Sequence, residues 1–289
     1  MTLEQLRIFI AVAEREHLTR AAESLHLTQS AVSSAVSALE ARYGVQLFDR
    51  IGRGIALTQA GHAFLPEARA VLARQRSAEQ ALVDVSGGVR GSLRLVASQT
   101  VGNYWIAGRM AGFIAQHPGV SVHLDITNTE RAAATVLSGE ADLGVVEGHV
   151  DDPRLSVRRL DGDVMRLAVP QDHPLAGAHD LNTDDWAGLR FIVREPGSGT
   201  RAILQAHLGG MGLALDSGNI AMELPSNEAI RGAVAAGLGV AVLSSLVIDT
   251  ATGVRRLPTG IAPRAFSLIR MKERSATRAE TAFADTCLQ

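Results

Sequence analysis

The chain is short of several things, and each shortage closes off a class of function. It has one cysteine among 289 residues, Cys287. No internal disulfide can form, and a reducing compartment suits it. Cys287 is also a poor candidate for a catalytic thiol, standing close to the last residue. The nine histidines are scattered, with no HxxxH pair and none near the cysteine, so no metal site is expected. Lysine is nearly absent: Lys272 is the only one among 28 basic residues. No stretch approaches the roughly 18 uninterrupted apolar residues of a membrane span. Glu4, Arg7, Glu14, Arg15 and Glu16 break up the N-terminal apolar stripe, which argues against a secretory leader and for a cytoplasmic protein. A net charge of −2 names no partner. Gly232, Gly237 and Gly239 look like a fragment of a nucleotide fingerprint, but no strand-first GxGxxG exists, and Gly197-Ser198-Gly199 is not a nucleophile elbow. With no base-plus-nucleophile set, neither an enzyme nor a cofactor is expected.

What is present begins with residues 19–40, TRAAESLHLTQSAVSSAVSALE. They parse as two short helices joined by a tight turn. Ala21, Ala22 and Leu25 give the first an apolar face. Thr28 can cap the second, and Val32, Val36 and Leu39 recur on one side of it at helical spacing. Gln29, Ser30, Ser33, Ser34 and Ser37 fall on other faces. Serine is a mediocre helix former, so its abundance asks for a reason beyond packing. Ser and Gln side chains suit base edges and phosphates in a major groove. The plainer alternative is a solvent-exposed helix pair.

Residues 45–61, VQLFDRIGRGIALTQAG, narrow the choice. Two apolar runs flank Arg50-Ile51-Gly52-Arg53-Gly54, the pattern of a small hairpin with two arginines at its tip. A basic-tipped hairpin beside a helix-turn-helix makes a winged module, and Arg50 and Arg53 can lie along a phosphate backbone or enter a minor groove. Leu3, Leu6, Phe9, Ile10 and Ala13 form a helical stripe that would close a three-helix core. Residues 1–60 hold six Arg against six Asp or Glu, so affinity for DNA must come from local arginines, helix ends and dimerisation.

From Thr58 to Ser86 one long helix is expected, with Phe64, Ala68, Val71, Leu72, Ala78, Leu82 and Val85 spaced close to a 3.5-residue repeat. So narrow a stripe calls for a partner, most economically the same helix of a second subunit. Ser86-Gly87-Gly88 marks a boundary. From residue 89 short apolar strands alternate with helices: 93–98, 120–127, 141–146, 164–170, 190–195, 220–224, 239–244 and 265–271 against helices near 104–116, 129–138, 200–212, 226–237 and 277–288. That alternation implies parallel sheets with helices on both faces. We read residues 1–60 as the winged module, 58–88 as linker helix and hinge, and 89–289 as two α/β subdomains. The first subdomain takes 89–161 plus 268–289 and the second 162–267. The chain crosses near Asp161-Gly162-Asp163 and returns along 265–271.

Ligands in such folds sit beyond strand carboxyl ends, where helix N-termini offer free N–H groups. Two runs have that placement: Ser98-Gln99-Thr100 after the first strand, and Arg194-Glu195-Pro196-Gly197-Ser198-Gly199-Thr200-Arg201 after the strand at 190–195. Gly197 and Gly199 permit a backbone nest, Ser198 and Thr200 add hydroxyls, and Arg201 adds a fork-shaped charge. The ligand this favours is a small anion: a carboxylate, a phosphate or a sulfur oxyanion. Helix capping alone also accounts for Ser98 and Thr100. Thr127, Asn128 and Thr129 after the second strand, and Glu147 after the strand at 141–146, can line the same cleft or serve turn chemistry. Asn227 reads as a cap. Trp105 reports on the cleft or packs in the core.

The run FIAVAEREHLTRAAESLHLTQSAVSSAVSALEARYGVQLFDRIGRGIALTQAG resembles the winged helix-turn-helix domain of LysR-type transcriptional regulators. SQTVGNYW, REPGSGTR and SNEAIRGAVAAGLGVAVLS resemble the branch controlling carbon-fixation and sulfur-assimilation genes. The resemblance implies an operator on double-stranded DNA, a dimer-forming linker helix, and a dimer of dimers. It also implies a periplasmic-binding-protein-like effector domain that takes a small anionic metabolite or oxyanion. A solute-binding transport protein would share the clamshell, but residues 1–86 would then have no role.

Overall fold

The computed structural model describes residues 1–52, 54–85, 87–250 and 252–288, with the side chains at 259 and 260 left aside. The chain clusters into two compact units, residues 1–85 together with 138–140, and residues 86–137 together with 141–289.

The first unit opens with α1 (Leu3–Arg15). Its N-cap Thr2 exchanges hydrogen bonds with Gln5 in a capping box. It is followed by α2 (Leu18–Leu25) and α3 (Gln29–Tyr43). Thr28 caps α3, its hydroxyl accepting from the Ala31 N–H at 3.2 Å, and Gly44 ends the helix at φ 65°. Ile8, Ala11, Val12, Ala21, Ala22, Val32 and Val36 bury one core among the three helices. β1 (Phe48–Ile51) and β2 (Gly54–Leu57) pair antiparallel, Ile51 opposite Gly54, with Gly52 at φ 59° in the tight tip. The long helix α4 (Gln59–Val85) begins against this core. Thr58 receives the Gly61 N–H at 3.0 Å, and a Cβ at Gly61 would overlap the Leu47 carbonyl.

The stripe expected along α4 splits in two. Ala68 and Leu72 are buried within the unit against Leu6, Phe9, Leu39 and Leu47, with Phe64 packed beside them. Val71, Leu82 and Val85 remain exposed.

The second unit contains β3 (Gly91–Ser98), a π-helical turn (Val101–Trp105), α5 (Ile106–Gln116), β4 (Val120–Thr127), α6 (Thr129–Leu137), β5 (Leu143–Glu147) and β6 (Leu155–Pro170). It continues through α7 (Thr183–Ala187), β7 (Phe191–Val193), α8 (Gly199–Gly210), β8 (Ile220–Glu223) and α9 (Asn227–Ala235). β9 (Ala241–Ser244), the helical turn α10 (Ser245–Ile248), β10 (Val254–Met271) and α11 (Arg278–Thr286) complete it. The strand order is β4-β3-β5-β10-β6-β9, with β7 and β8 paired beside it.

This differs from separate parallel sheets. β3 runs parallel to β4 and β5, but β10 is antiparallel to both β5 and β6. β6 and β10, of 16 and 18 residues, are long enough to serve both halves, so one mixed sheet runs through the unit. Residues 155–163 escape a strand reading because Arg158, Arg159 and Asp161 interrupt the apolar alternation. On one face of the first half α5 and α11 pack through Ile106, Phe113, Ala279 and Phe283, and α6 covers the other through Ala132 and Val136. In the second half α8 and Trp186 cover one face and α9 with α10 the other.

β6 and β10 leave no room for a side chain at Gly162. A Cβ there would overlap the Arg264 carbonyl and crowd Ala265, and the pairing register shifts between Arg264 and Phe266. Gly162→Ala should therefore destabilise the second unit by at least about 1–3 kcal/mol, the usual cost of overpacking. Both tryptophans, Trp105 and Trp186, lie in that unit, so thermal unfolding followed by indole fluorescence reads the loss directly.

Candidate functional sites

In the first unit, the side of α3 opposite Val32, Val36 and Leu39 is open. Thr28, Gln29, Ser30, Ser34 and Ser37 are exposed and Ser33 is half-buried. The outward face is thus centred on Ser30, Ser34 and Ser37, small hydroxyls that let a helix approach base edges closely. Thr28 is engaged as the cap and sits 3.1 Å from the Ser30 hydroxyl. Arg50 is exposed on the wing strand β1. Arg53 lies outside the described residues.

In the second unit, the carboxyl ends of β3, β4 and β5 face the N-termini of α8 and α9, and polar side chains fill the seam between them. Ser98, at the end of β3, is fully buried. Its hydroxyl donates to the Glu147 carboxylate and accepts from the Glu147 N–H at 3.0 Å. Thr127 is the half-buried last residue of β4, paired in register with Ser98. Thr129, at the start of α6, donates to the Glu147 carbonyl at 2.5 Å. Gln99 donates to the Pro225 carbonyl at 2.7 Å and accepts from the Asn227 N–H at 3.0 Å. Asn103 and Tyr104, on the π-helical turn, both donate to Glu228. A π-turn often marks a functional place, and here it aims two side chains across the seam.

Two guanidinium groups lie inside. Arg264 on β10 is 5% exposed. It grips Asp163 with two bonds of 2.7 and 2.5 Å and also points at Thr200 (3.3 Å) and Thr100 (3.5 Å). Arg194 is 2% exposed and donates to both Glu195 oxygens and to Asn227 at 2.9 Å. Asn227 in turn donates to Thr100 at 3.2 Å. A continuous chain therefore runs Glu195–Arg194–Asn227–Thr100–Arg264–Asp163. Burial pushes the Glu147 pKa up, partly offset by Arg264 and reinforced by Asp163. Burial is the largest influence on Glu195 and acts against its charge, but the hydrogen bonds and charge of Arg194, a backbone N–H and Asn128 together outweigh it and hold that carboxyl below its ordinary range.

The structure brings Ser98, Gln99, Thr100, Glu147 and Thr200 to this seam. Ser198 and Arg201 open instead onto a neighbouring groove of about 600 Å³, whose lining includes Thr129, Glu130, His149 and Gln205. Arg201 is turned away from the buried chain: it pairs with Glu223 at 2.5 Å and donates to the Arg194 carbonyl at 2.8 Å. Gly197 takes a left-handed φ of 83° and its carbonyl receives the Glu130 N–H. A Cβ at Gly199 would overlap the Glu147 carbonyl. Turn conformation and close packing thus account for both glycines. Asn227 is not the cap of α9. Ser226 is, accepting from the Ala229 N–H at 3.3 Å, and Asn227 joins the seam. Trp105 packs edge-on to Phe266 at 5.5 Å with Arg109 stacked over it.

Sequence reasoning missed Arg264, Asp163 as a site residue, and the role of Arg194. Arg264 and Asp163 carry no local motif, since their meaning comes from facing each other across strands 101 residues apart. The polar run Thr127-Asn128-Thr129, readable from sequence as cleft lining or as turn chemistry, does reach the seam, where Asn128 donates to Glu195 at 3.1 Å.

Residues 3–62 match the family model described as bacterial regulatory helix-turn-helix protein, lysR family, and residues 86–289 match the LysR substrate binding domain. The RuBisCO operon transcriptional regulator of Allochromatium vinosum is 36% identical over 259 residues, 90% of this chain and 84% of its own. A probable RuBisCO transcriptional regulator of Synechocystis is 36% identical over 251 residues, 86% of this chain and 73% of its own. Among solved structures, full-length CbnR complexed with its target DNA superposes with a TM-score of 0.70 at 23% identity, covering 99% of both chains. At that identity the likeness speaks for the fold.

Glu147 yields a pH dependence with a definite sign. Its pKa is raised in the folded state, so the folded chain keeps that proton to higher pH than the unfolded chain does. Stability linked to the neutral carboxyl is complete below the ordinary glutamate range and is lost as pH rises through the folded value. Glu147→Gln fixes a neutral side chain. The thermal midpoint of the wild type should fall relative to this variant as pH rises from acid toward neutral, and parallel curves would exclude the effect.

Proposed function

Because the chain belongs to the LysR family of helix-turn-helix transcriptional regulators, we propose that it is a dimer-based regulator of a carbon-fixation operon, switched by a small anionic effector. The relatives named as RuBisCO operon regulators support the gene class. The observation that carries the effector reading is the seam itself. Helix N-termini and two buried guanidinium groups converge there with the hydroxyls of Ser98, Thr100 and Thr200. Oriented N–H groups, hydroxyls and arginine forks are what a carboxylate, phosphate or sulfur oxyanion needs. Gln99 and Glu147 lie within the proposed site, and Thr127, Ser198 and Arg201 complete it at its margins. Closure of the two halves around the ligand is the conformational signal.

DNA recognition is assigned to α3 through Gln29, Ser30, Ser33 and Ser34, with Thr28 capping the helix, and to the wing through Arg50 and Arg53. The exposed Val71, Leu82 and Val85 of α4 supply the dimer seam, and two dimers form the tetramer.

The direct test is footprinting on the intergenic DNA beside a RuBisCO operon, with and without small oxyanions and sugar phosphates. The footprint should change with anion, and indole fluorescence should follow the same titration. A response confined to uncharged compounds would overturn the anion reading. Ser34→Leu, on an exposed position, should leave stability intact and weaken specific binding by about 1–3 kcal/mol, the scale of one base contact. An unchanged footprint would place recognition elsewhere. Leu82→Glu should shift the protein toward monomer in sedimentation, since it buries a charge only if the helix is paired. Leu72→Glu is a different experiment, because Leu72 is buried in its own unit and the variant unfolds it.

A further inference from the structure

The two guanidinium groups of the seam are already balanced by carboxylates. Arg264 is neutralised by Asp163 and Arg194 by Glu195, each in a two-point fork, and Glu147 is buried beside them. An incoming anion therefore finds no unclaimed guanidinium among these residues. It must take one from a resident carboxylate. The two pairs are not equivalent. Glu195 is one-quarter exposed and tied to Asn128, whereas both members of the Arg264–Asp163 pair are almost wholly buried. Only Arg264 also reaches hydroxyls on both halves, Thr100 at 3.5 Å and Thr200 at 3.3 Å. Those long contacts are weak next to the 2.7 and 2.5 Å bonds to Asp163.

We propose that Asp163 is a built-in competitor of the effector: it occupies the Arg264 fork as a ligand oxyanion would, and the effector binds by displacing it. Arg264, rather than Arg201, is then the anion-recognising cation. The inference rests on the anion-effector reading and adds its regulation. Displacement frees Arg264 to bridge Thr100 and Thr200 through one ligand, so binding ties the halves together where Asp163 tied β10 only to β6. The resident carboxylate sets the threshold, because affinity is reduced by however strongly Asp163 holds the fork. It also selects, since an uncharged molecule has no means of replacing a carboxylate on a buried guanidinium.

The test uses the full-length protein, with inorganic phosphate, sulfate and ribose 5-phosphate as probes, read by indole fluorescence and by the footprint. Asp163→Asn removes the competing charge and keeps the shape, and should tighten binding of the responding probe by about tenfold or more. Arg264→Lys keeps the charge but loses the fork and should weaken binding by a similar factor. Either single variant leaves one buried charge less well paired, so the neutral double variant Asp163→Asn/Arg264→Gln guards against misfolding. It should fold, by circular dichroism, and show no probe response. Unchanged affinity in Asp163→Asn, or a wild-type response in the double variant, overturns the exchange while leaving the effector reading standing. A wild type that answers none of the anions overturns both.

Discussion

Arg264 on β10 and Asp163 on β6 are register partners in adjacent antiparallel strands, with side chains 3% and 1% exposed. Either charge left alone at that depth would cost several kcal/mol, so the two must stay opposite each other. A slip of one residue would separate them and turn every neighbouring side chain to the wrong face. Gly162 beside the pair admits the close backbone approach, and the register irregularity after Arg264 follows at once. With the register pinned here, Phe266 is set opposite Leu160 and Glu147, and Leu268 opposite Val145. The placement of β5 fixes Glu147, and the placement of Glu147 fixes the α8 N-terminus through Gly199. The polar seam is thus a consequence of how two long strands are locked.

The winged module was legible because its information is local. Thr28, Val32, Val36 and Leu39 lie within one helix, and the turn between the wing strands is short enough to be read from its glycines. Short apolar strands in the second unit were legible for the same reason. The long strands were not. In β6 the segment 155–163 alternates irregularly and carries Arg158, Arg159 and Asp161, so its hydrogen bonding is dictated by β10, about a hundred residues away. The helical turns α7 and α10 are too short to show a period. The α4 stripe was correctly apolar, but one periodicity concealed two functions, an inner segment packing on α1 and an outer one left exposed.

The site shows the same division. The places of Ser98, Thr100 and Thr200 in the seam were legible because hydroxyls at strand ends and helix starts are visible in a short window. Arg201 drew attention as the charge nearest to them in sequence, yet Glu223 on β8 holds it. The two arginines that enter the seam come from the end of β7 and from β10, and no window contains both. Proximity along the chain is a fair guide to capping, turns and a neighbour pair such as Arg194–Glu195, but a poor one to Arg264–Asp163, whose partners are chosen by the sheet.

Neutrality links the two units. The helix-turn-helix module, residues 1–60, carries as many Asp and Glu as Arg, and the polar seam pairs each guanidinium with its own carboxylate. A module without a broad positive field gains little from nonspecific counterion release, so its discrimination rests on geometry at a few side chains and on the use of two modules at once. The seam obeys a parallel rule. On the exchange proposed above, a seam without a standing excess of positive charge does not collect anions at large, and only a ligand that satisfies a guanidinium fork and two hydroxyls together compensates for the carboxylate it removes. In both places weak general attraction leaves specificity to the arrangement of hydrogen bonds, which is what a switch needs if it is to stay silent among the many nucleic acids and metabolites that carry the right sign of charge but the wrong shape.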